Sequence, residues 1–225
     1  MRLNRSFFKS LHKSTFVFDK DGTLIDTESL YFEAFNRMLT VFGHAHDLPT
    51  HVQMMGASAD TCLGILRERH AGFPQGDDAL PTLRTELLQR VSDVRLERGT
   101  KAMPGASTLL ACCREQGIRL AMATSATREN AERDLTGLGW SHYFEAVVTS
   151  DDVTRHKPAP DVFLEAAKRM GAKPSDCIAF EDGLRGVQSA HAAGMRVVFV
   201  RDERFGITAP PEASLIVASL SELLT

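Results

Sequence analysis

Residues 15–23 read TFVFDKDGT, and this stretch sets the architecture expected for the whole chain. Its first four residues are β-branched or aromatic, and such a continuous apolar run is typical of a strand buried on both faces of a parallel sheet. The run ends at Asp19, and a second acid, Asp21, follows just before Gly22. Open α/β sheets bind ligands at the carboxyl ends of their strands. The stretch therefore predicts a buried strand that brings two carboxyl groups to a ligand site.

Four later segments repeat the short apolar pattern of this strand, at residues 118–123, 146–148, 177–180 and 196–200. Helical patterns fall between them, at residues 106–116, 128–138, 161–170 and 184–193. Each of these helices is followed by a glycine that suits a helix end, namely Gly117, Gly139, Gly171 and Gly194. Strands and helices in alternation predict an α/β domain with a parallel sheet and right-handed crossovers.

Between residues 27 and 98 the pattern changes. No buried strand is evident, and the apolar residues recur at helical spacing. Asp26 or Thr27 suits the N-cap of the first helix, and the glycine- and proline-containing segment 72–76 divides the region into helical pieces. The sequence therefore predicts an all-helical domain at 27–98, inserted into an α/β core domain formed by 1–26 and 99–225.

Composition excludes several classes of protein. The chain has 225 residues, of which 43% are hydrophobic and 24% charged, and its net charge is −3 with both signs interspersed. This balance offers no basic surface for nucleic acid or for an anionic membrane. No apolar run approaches the roughly 20 residues that would span a bilayer. We expect a cytoplasmic protein without nucleic-acid or membrane partners, and a monomer by default.

Three smaller features have ordinary interpretations. The N-terminal segment 1–14 is mildly basic without an apolar stretch, so a short surface extension is favoured over a targeting peptide. The four cysteines match neither a zinc pattern nor a disulfide framework, and buried free thiols are expected. The closest histidines, His44, His46 and His51, could bind a metal, but they surround a turn that ends at Pro49, and we favour no site there.

Polar groups fall at the ends of the predicted strands or in the loops that follow them: Asp19 and Asp21, Thr124 and Ser125, Lys157, and Glu181 and Asp182. Taken singly, each has an ordinary explanation, such as a helix cap at Thr124-Ser125 or a solvated loop charge at Lys157. Their occurrence in this order at successive strand ends is better explained by one shared site.

The chemistry of these groups indicates phosphoryl transfer. Four carboxylates at one site would repel one another, and a hard divalent cation would relieve that repulsion. Oxygen ligands suit Mg²⁺, which shares itself with substrate phosphate. Lys157 supplies a second positive charge, and together with a hydroxyl these groups form a cradle for a phosphoryl group. The sequence therefore predicts a Mg²⁺-dependent enzyme that acts on a small phosphorylated metabolite.

Residues 18–27, FDKDGTLIDT, resemble the first motif of the haloacid dehalogenase (HAD) superfamily. Thr124, KPAP at 157–160 and FEDG at 180–183 are similar to its second, third and fourth motifs. The resemblance covers nearly the whole chain, and the four motifs together are highly specific. A helical insert after the first motif is similar to the β-phosphoglucomutase and sugar-phosphatase branch. The resemblance implies a Rossmann-like parallel-sheet HAD core with an inserted all-helical cap, which we expect to determine the substrate.

The resemblance also implies roles for individual residues. Asp19 would attack phosphorus and become an aspartyl phosphate, and Asp21 would protonate the leaving alcohol and later activate water. Thr124 and Lys157 would contact the transferring phosphoryl group, and Ser125 would either add a donor or cap a helix.

The same resemblance implies a metal site. Mg²⁺ would be held by Asp19, by the backbone carbonyl of Asp21 and by Asp182, while Glu181 would act through a bound water.

Other activities of the superfamily fit less well. Its dehalogenases lack an acid at the position of Asp21, because a halide leaves without a proton. Its phosphonate hydrolases place a lysine in the cap, and this chain has none between Lys20 and Lys101. Its β-phosphoglucomutases carry a histidine on the first cap helix and an arginine in a glycine loop, where this chain has Tyr31 and Ala59.

We therefore favour a phosphatase of sugar phosphates over a β-phosphoglucomutase-like mutase, also because residues 142–195 are similar to bacterial phosphatases of the fructose-1-phosphatase type. A catalytically silent HAD-fold binding module is a further alternative, although every expected catalytic group is present. A nucleotide-binding Rossmann domain would need a G-x-G-x-x-G turn, which the segment 19–24 does not provide.

Overall fold

The computed structural model describes residues 2–4, 15–55 and 57–225. The chain divides into two compact units, the first formed by Met1–Asp26 and Lys101–Thr225 and the second by Thr27–Thr100. The expectation for the basic segment 1–14 falls outside the described residues, apart from residues 2–4.

The first unit is built on a six-stranded sheet in which every neighbouring pair of strands is parallel. The strands are β1 (Thr15–Phe18), β2 (Arg119–Ala123), β3 (Ala146–Val148), β4 (Cys177–Glu181), β5 (Arg196–Val200) and β6 (Leu215–Val217). Their order is β3-β2-β1-β4-β5-β6, so β1 lies between β2 and β4. The predicted α/β fold with a parallel sheet is confirmed.

The described residues include eight α-helices: α1 (Glu28–Thr40), α2 (Leu48–Met54), α3 (Ala59–Arg69), α4 (Leu80–Arg98), α5 (Ala106–Glu115), α6 (Arg128–Gly137), α7 (Asp161–Arg169) and α8 (Leu184–Ala192). The first four belong to the second unit and the last four to the first unit. The helices predicted in the core lie within one residue of these bounds. The four glycines that follow them all have positive φ, a backbone conformation that glycine adopts without strain.

Apolar side chains cover both faces of the sheet. On one face the rings of Phe18 and Phe180 stack at a centroid distance of 4.3 Å. On the other face Val17 packs in a cluster with Phe163 and Phe199. All four residues of β1 are buried, as expected for a central strand of a parallel sheet. The buried sheet gives the first unit a rigid base from which the strand ends project.

Two local features of the structure differ from the expectation. The strand β6 was not predicted; unlike the equally short β3, it exposes its central residue, since Ile216 is 48% exposed. Thr27 occupies the N-cap position of α1, as predicted, but its side chain makes no capping hydrogen bond, because its backbone is already helical (φ −87°, ψ −25°). The carboxylate of Asp26 accepts hydrogen bonds from Arg204.

Two further sequence-based expectations concern thiols and membrane spans. The four cysteines are buried and free, as predicted. Within residues 2–4, 15–55 and 57–225, no helix combines the length and the apolar character needed to cross a bilayer.

The second unit is helical throughout its described part, and its core is formed by apolar residues of all four helices. Within it His46 is 6% exposed, and its Nε2 lies 3.1 Å from Nδ1 of His51. The rings of Phe32 and Phe35 lie 5.1 and 5.3 Å from the ring of His46. Nε2 of His51 lies 3.1 Å from a carboxylate oxygen of Glu28. The imidazoles thus contact each other and an acid, and in the described part of the chain they do not converge with other ligands on one metal position.

Burial beneath these rings, with repulsion from His51, lowers the pKa of His46 from 6.5 to about 4. The unfolded chain therefore binds more protons than the folded one between these two pH values, and stability decreases as pH falls through this window. We predict that the free energy of unfolding falls by about 1–2 kcal/mol between pH 7.5 and pH 5 because of this residue. Urea unfolding followed by far-UV circular dichroism at both pH values measures it.

The variant His46→Leu is expected to lose most of this pH dependence. His191→Leu, which removes an exposed imidazole on α8, is the matched control and should keep it. Equal pH dependence in wild type and His46→Leu would contradict the prediction.

Candidate active site

Asp19 and Asp21 lie where β1 gives way to a tight turn. The N–H of Asp19 donates to the carbonyl of Phe180 at 2.9 Å, which extends the ladder between β1 and β4 by one residue. The carbonyl of Lys20 accepts hydrogen bonds from the N–H groups of Leu24 and Ile25. These bonds close the turn and fix the backbone that carries both acids at the carboxyl edge of the sheet.

Thr124 follows β2 and is fully buried, with its N–H bonded to the carbonyl of Val148. Its Oγ1 lies 3.4 Å from Oδ2 of Asp21 and accepts a hydrogen bond from the N–H of Ala126 at 3.0 Å. Ser125 is exposed beside it. The helix-cap explanation for Thr124-Ser125 is wrong, because Thr127 is the N-cap of α6.

Lys157 joins three chain segments at the sheet edge. Its Nζ lies 2.5 Å from Oδ1 of Asp19, 2.6 Å from Oε1 of Glu181 and 3.1 Å from the carbonyl oxygen of Ala123. The side chain is buried, with Nζ 4.9 Å from the ring centroid of Phe163. The explanation of Lys157 as a solvated loop charge is therefore wrong.

Glu181 is the last residue of β4 and Asp182 follows it, and both are buried. Oε2 of Glu181 accepts a hydrogen bond from the N–H of Gly183 at 3.1 Å, and Oδ1 of Asp182 accepts one from the hydroxyl of Thr23 at 2.9 Å. Each acid thus has a partner that holds its carboxylate toward the site.

Two glycines give these acids their space. Gly22 has φ +78°, and a Cβ added to it would overlap the carboxylate of Asp182. A Cβ added to Gly186, in the first turn of α8, would overlap the carboxylate of Glu181. The role of Gly186 at the site was not predicted from the sequence.

Oxygen atoms of Asp19, Glu181 and Asp182 lie within 4.8 Å of one another, and among the residues described they form the one group of acids, histidines or cysteines arranged to hold a metal ion. Three ionised acids and the ammonium of Lys157 leave two net negative charges, which one divalent cation would neutralise. The donors are all carboxylate oxygens, the ligands that hard cations prefer. The residues therefore fit a divalent metal ion.

Electrostatics at the site are dominated by burial. Burial, together with repulsion from Glu181 and Asp21, raises the pKa of Asp19 to about 7 against the opposing attraction of Lys157. Burial alone would lower the pKa of Lys157, but the charges of Asp19 and Glu181 raise it. Lys157 is therefore held protonated, and the acids around it outnumber its single charge.

The site contains a second buried cation, Lys20, which was not predicted from the sequence. Nζ of Lys20 lies 2.9 Å from Oδ1 of Asp21 and 2.6 Å from Oδ2 of Asp134 on α6. Lys20 and Asp134 are each 1% exposed. Burial opposes the charge on Lys20, yet attraction to the two acids raises its pKa. A clue was present in α6, where Asp134 stands among the apolar positions Ala131 and Leu135 at helical spacing.

Similarity to known proteins shows the family to which this chain belongs. Residues 16–200 match the family model of haloacid dehalogenase-like hydrolases. The chain belongs to this family, and the resemblance inferred from its four motifs is confirmed.

Several relatives have names that describe a phosphatase activity, and two of these names refer to sugar or carbohydrate phosphates. The fructose-1-phosphate phosphatase YqaB of Escherichia coli is 33% identical over 189 residues, which cover 82% of this chain and 95% of the relative. A phosphorylated carbohydrates phosphatase of Thermotoga maritima is 32% identical over 183 residues, covering 81% of this chain and 82% of the relative. The chain is accordingly a phosphatase of the HAD family.

A solved structure with the same architecture is CbbY from Rhodobacter sphaeroides in complex with phosphate. It superposes with a TM-score of 0.78 at 25% identity, covering 93% of this chain and 96% of CbbY.

Gly186→Ala is predicted to displace the carboxylate of Glu181 and thereby Lys157, which it contacts. Phosphatase activity should fall by about tenfold or more, since small displacements of catalytic groups cost up to about a hundredfold. Steady-state kinetics on a phosphate ester measure the loss. Gly183→Ala is the matched control, because a Cβ there would lie at an ordinary 3.7 Å from Glu181. Equal activity of the two variants would show that Gly186 has no such role.

Proposed function

We propose that the protein is a Mg²⁺-dependent phosphatase that hydrolyses a small phosphate monoester, in particular a sugar phosphate, through an aspartyl phosphate on Asp19. The observation that carries the proposal is the contact of one buried ammonium, that of Lys157, with both Asp19 and Glu181, beside three acids that fit a divalent cation. The substrate class is supported by the names of the two relatives.

In the first half-reaction, a carboxylate oxygen of Asp19 forms a bond to phosphorus while the bond from phosphorus to the ester oxygen breaks. The carboxyl group of Asp21 gives its proton to the departing alkoxide. Lys157 and the hydroxyl of Thr124 stabilise negative charge on the phosphoryl oxygens, and Ser125, exposed next to Thr124, offers a further donor.

In the second half-reaction, the ionised Asp21 takes a proton from water as the water oxygen bonds to phosphorus. The bond between phosphorus and Asp19 breaks, which releases inorganic phosphate and restores the carboxylate. Oδ2 of Asp21 lies next to the hydroxyl of Thr124, so the group that moves the proton is close to a group proposed to hold the phosphoryl oxygens.

Asp19, Asp182 and the backbone carbonyl of Asp21 would hold Mg²⁺, with Glu181 placed to act through a water. The ion supplies positive charge that favours ionised Asp19 and offsets the charge of the phosphoryl group.

Replacement of the nucleophile tests the chemistry. Asp19→Asn is expected to reduce kcat by at least about a thousandfold, because nucleophile replacements remove most of the acceleration. Wild type and variant would be assayed with Mg²⁺ on p-nitrophenyl phosphate and on a panel of sugar phosphates, polyol phosphates and nucleotides. Asp176→Asn changes an exposed acid in the same way and should keep full activity.

If Asp19→Asn still hydrolysed these esters at the wild-type rate, the proposed phosphatase mechanism would be wrong. A sugar phosphate should give the highest kcat/KM of the panel. Isomerisation of β-glucose 1-phosphate that depends on glucose 1,6-bisphosphate would instead identify a mutase. Tyr31 and Ala59, where mutases of the family have histidine and arginine, disfavour that result.

The metal site makes a separate prediction. Thr23→Val removes the hydroxyl that donates to Asp182, and partners of metal ligands typically contribute about 10–100-fold to metal affinity. We expect the Mg²⁺ concentration for half-maximal activity to rise within that range. The rise in melting temperature caused by Mg²⁺, which does not depend on turnover, should need correspondingly more metal. Thr23→Ser restores the hydroxyl and should behave as wild type, and an unchanged Mg²⁺ requirement in Thr23→Val would contradict the assignment.

A further inference from the structure

The ammonium group of Lys20 is enclosed between two acids from distant parts of the chain. Its Nζ lies 2.6 Å from Oδ2 of Asp134 and 2.9 Å from Oδ1 of Asp21. Lys20 is 1% exposed, so its charge cannot reach a substrate. Buried ion pairs often contribute little net stability, and apolar residues of similar volume can replace them. The position is therefore a candidate for a role other than stability.

The two ends of Lys20 are fixed independently. Its backbone carbonyl accepts hydrogen bonds from Leu24 and Ile25, which hold the turn after β1. Its ammonium is held by Asp134, which belongs to α6 and is itself buried. Nζ of Lys20 is thus held by α6 as well as by the side chain of Asp21.

The carboxyl group of Asp21 would otherwise have freedom to turn, because its side chain is 35% exposed. Lys20 holds one of its oxygens, Oδ1. The other, Oδ2, lies 3.4 Å from the hydroxyl of Thr124. The two oxygens of one carboxyl group therefore have different surroundings, one enclosed with an ammonium and one directed to the proposed phosphoryl-binding hydroxyl.

We propose that Lys20 and Asp134 form a positioning pair that fixes the carboxyl group of Asp21 with Oδ2 presented to the leaving oxygen of the substrate. This inference rests on the proposed phosphatase function. The proton passes from Oδ2 to the ester oxygen as its bond to phosphorus breaks, and it returns to Oδ2 from water in the second half-reaction. Lys20 keeps its own protons throughout and forms no bond to the substrate.

The test compares two esters of nearly equal shape, phenyl phosphate and p-nitrophenyl phosphate, assayed with Mg²⁺. Phenolate is the poorer leaving group and depends more on a proton donor. The variant Lys20→Met/Asp134→Asn removes both charges with little change in volume, and its folding would be checked by circular dichroism.

We expect the first-turnover rate of this variant on phenyl phosphate to fall by about 10–100-fold, a part of the 10²–10⁴-fold typical of general acid–base catalysis. The first-turnover rate on p-nitrophenyl phosphate should change by less than about threefold, and KM should stay within about threefold for both esters. Lys168→Met, which removes an exposed ammonium paired with Glu165, is the control and should leave both rates unchanged.

A second arm places the same changes in an Asp21→Asn background. If Lys20 and Asp134 act through Asp21, adding their replacements there should cause no further loss on phenyl phosphate. The single variant Asp134→Asn keeps the contact of Lys20 with Asp21, and it should show about a two- to tenfold loss with the same dependence on the ester. It decides the question if the double variant does not fold.

Equal losses on the two esters, or a further loss in the Asp21→Asn background, would overturn the inference, because a structural defect would affect both esters alike. Such results would not contradict the proposed phosphatase function. If the wild type with Mg²⁺ hydrolyses neither ester and no phosphate of the wider panel, the proposed function fails and this inference fails with it.

Discussion

Buried like charges at the carboxyl edge of the sheet must be held together against their mutual repulsion. Asp19, Glu181 and Asp182 have oxygens within 4.8 Å of one another, and water is largely excluded from them. The ammonium of Lys157 contacts two of these acids and also the carbonyl of Ala123, so it ties together the ends of β1, β2 and β4. In surroundings of low dielectric each of these interactions is stronger than in water, and so is the remaining repulsion. The site keeps an excess of negative charge that its own residues do not neutralise.

The parallel sheet makes this concentration of charge possible. Phe18 of β1 is in register with Met122 of β2 and with Phe180 of β4, so the residues that follow these strands emerge side by side. Antiparallel neighbours would send their carboxyl ends to the opposite edge of the sheet. The central position of β1 then places Asp19 between the segments that carry Thr124 and Glu181. The sequence separation of these groups exceeds 100 residues between Asp19 and Thr124, yet the sheet order alone brings them to one edge.

The features that could be predicted from the sequence were those determined by residues close together in the chain. Continuous apolar runs predicted β1 and four of the later strands. The polar residues at the strand ends or in the loops that follow them predicted the acids, the lysine and the threonine of the site. Features that depend on contacts between distant segments were not readable in this way. The ion pair of Lys20 with Asp134 and the space that Gly186 leaves for Glu181 arise only when α6 and α8 pack against the sheet.

The two buried lysines of the first unit differ in a way that bears on the origin of the site. Lys20 lies between buried Asp134 and the partly exposed Asp21, whereas both acids in contact with Lys157, Asp19 and Glu181, are buried and a third buried acid, Asp182, lies beside them. An unbalanced group of buried charges destabilises a fold, and natural chains tolerate such groups mainly where function requires them. The interactions within the site, including those of Lys157, therefore do not by themselves hold the acids in place. The surrounding structure also positions the acids. It does so through the apolar faces of the sheet, the closed turn after Lys20 and the absence of a side chain at Gly22 and Gly186. The geometry of the site is imposed by packing that lies outside it, which is why acids that repel one another still share one position for a cation.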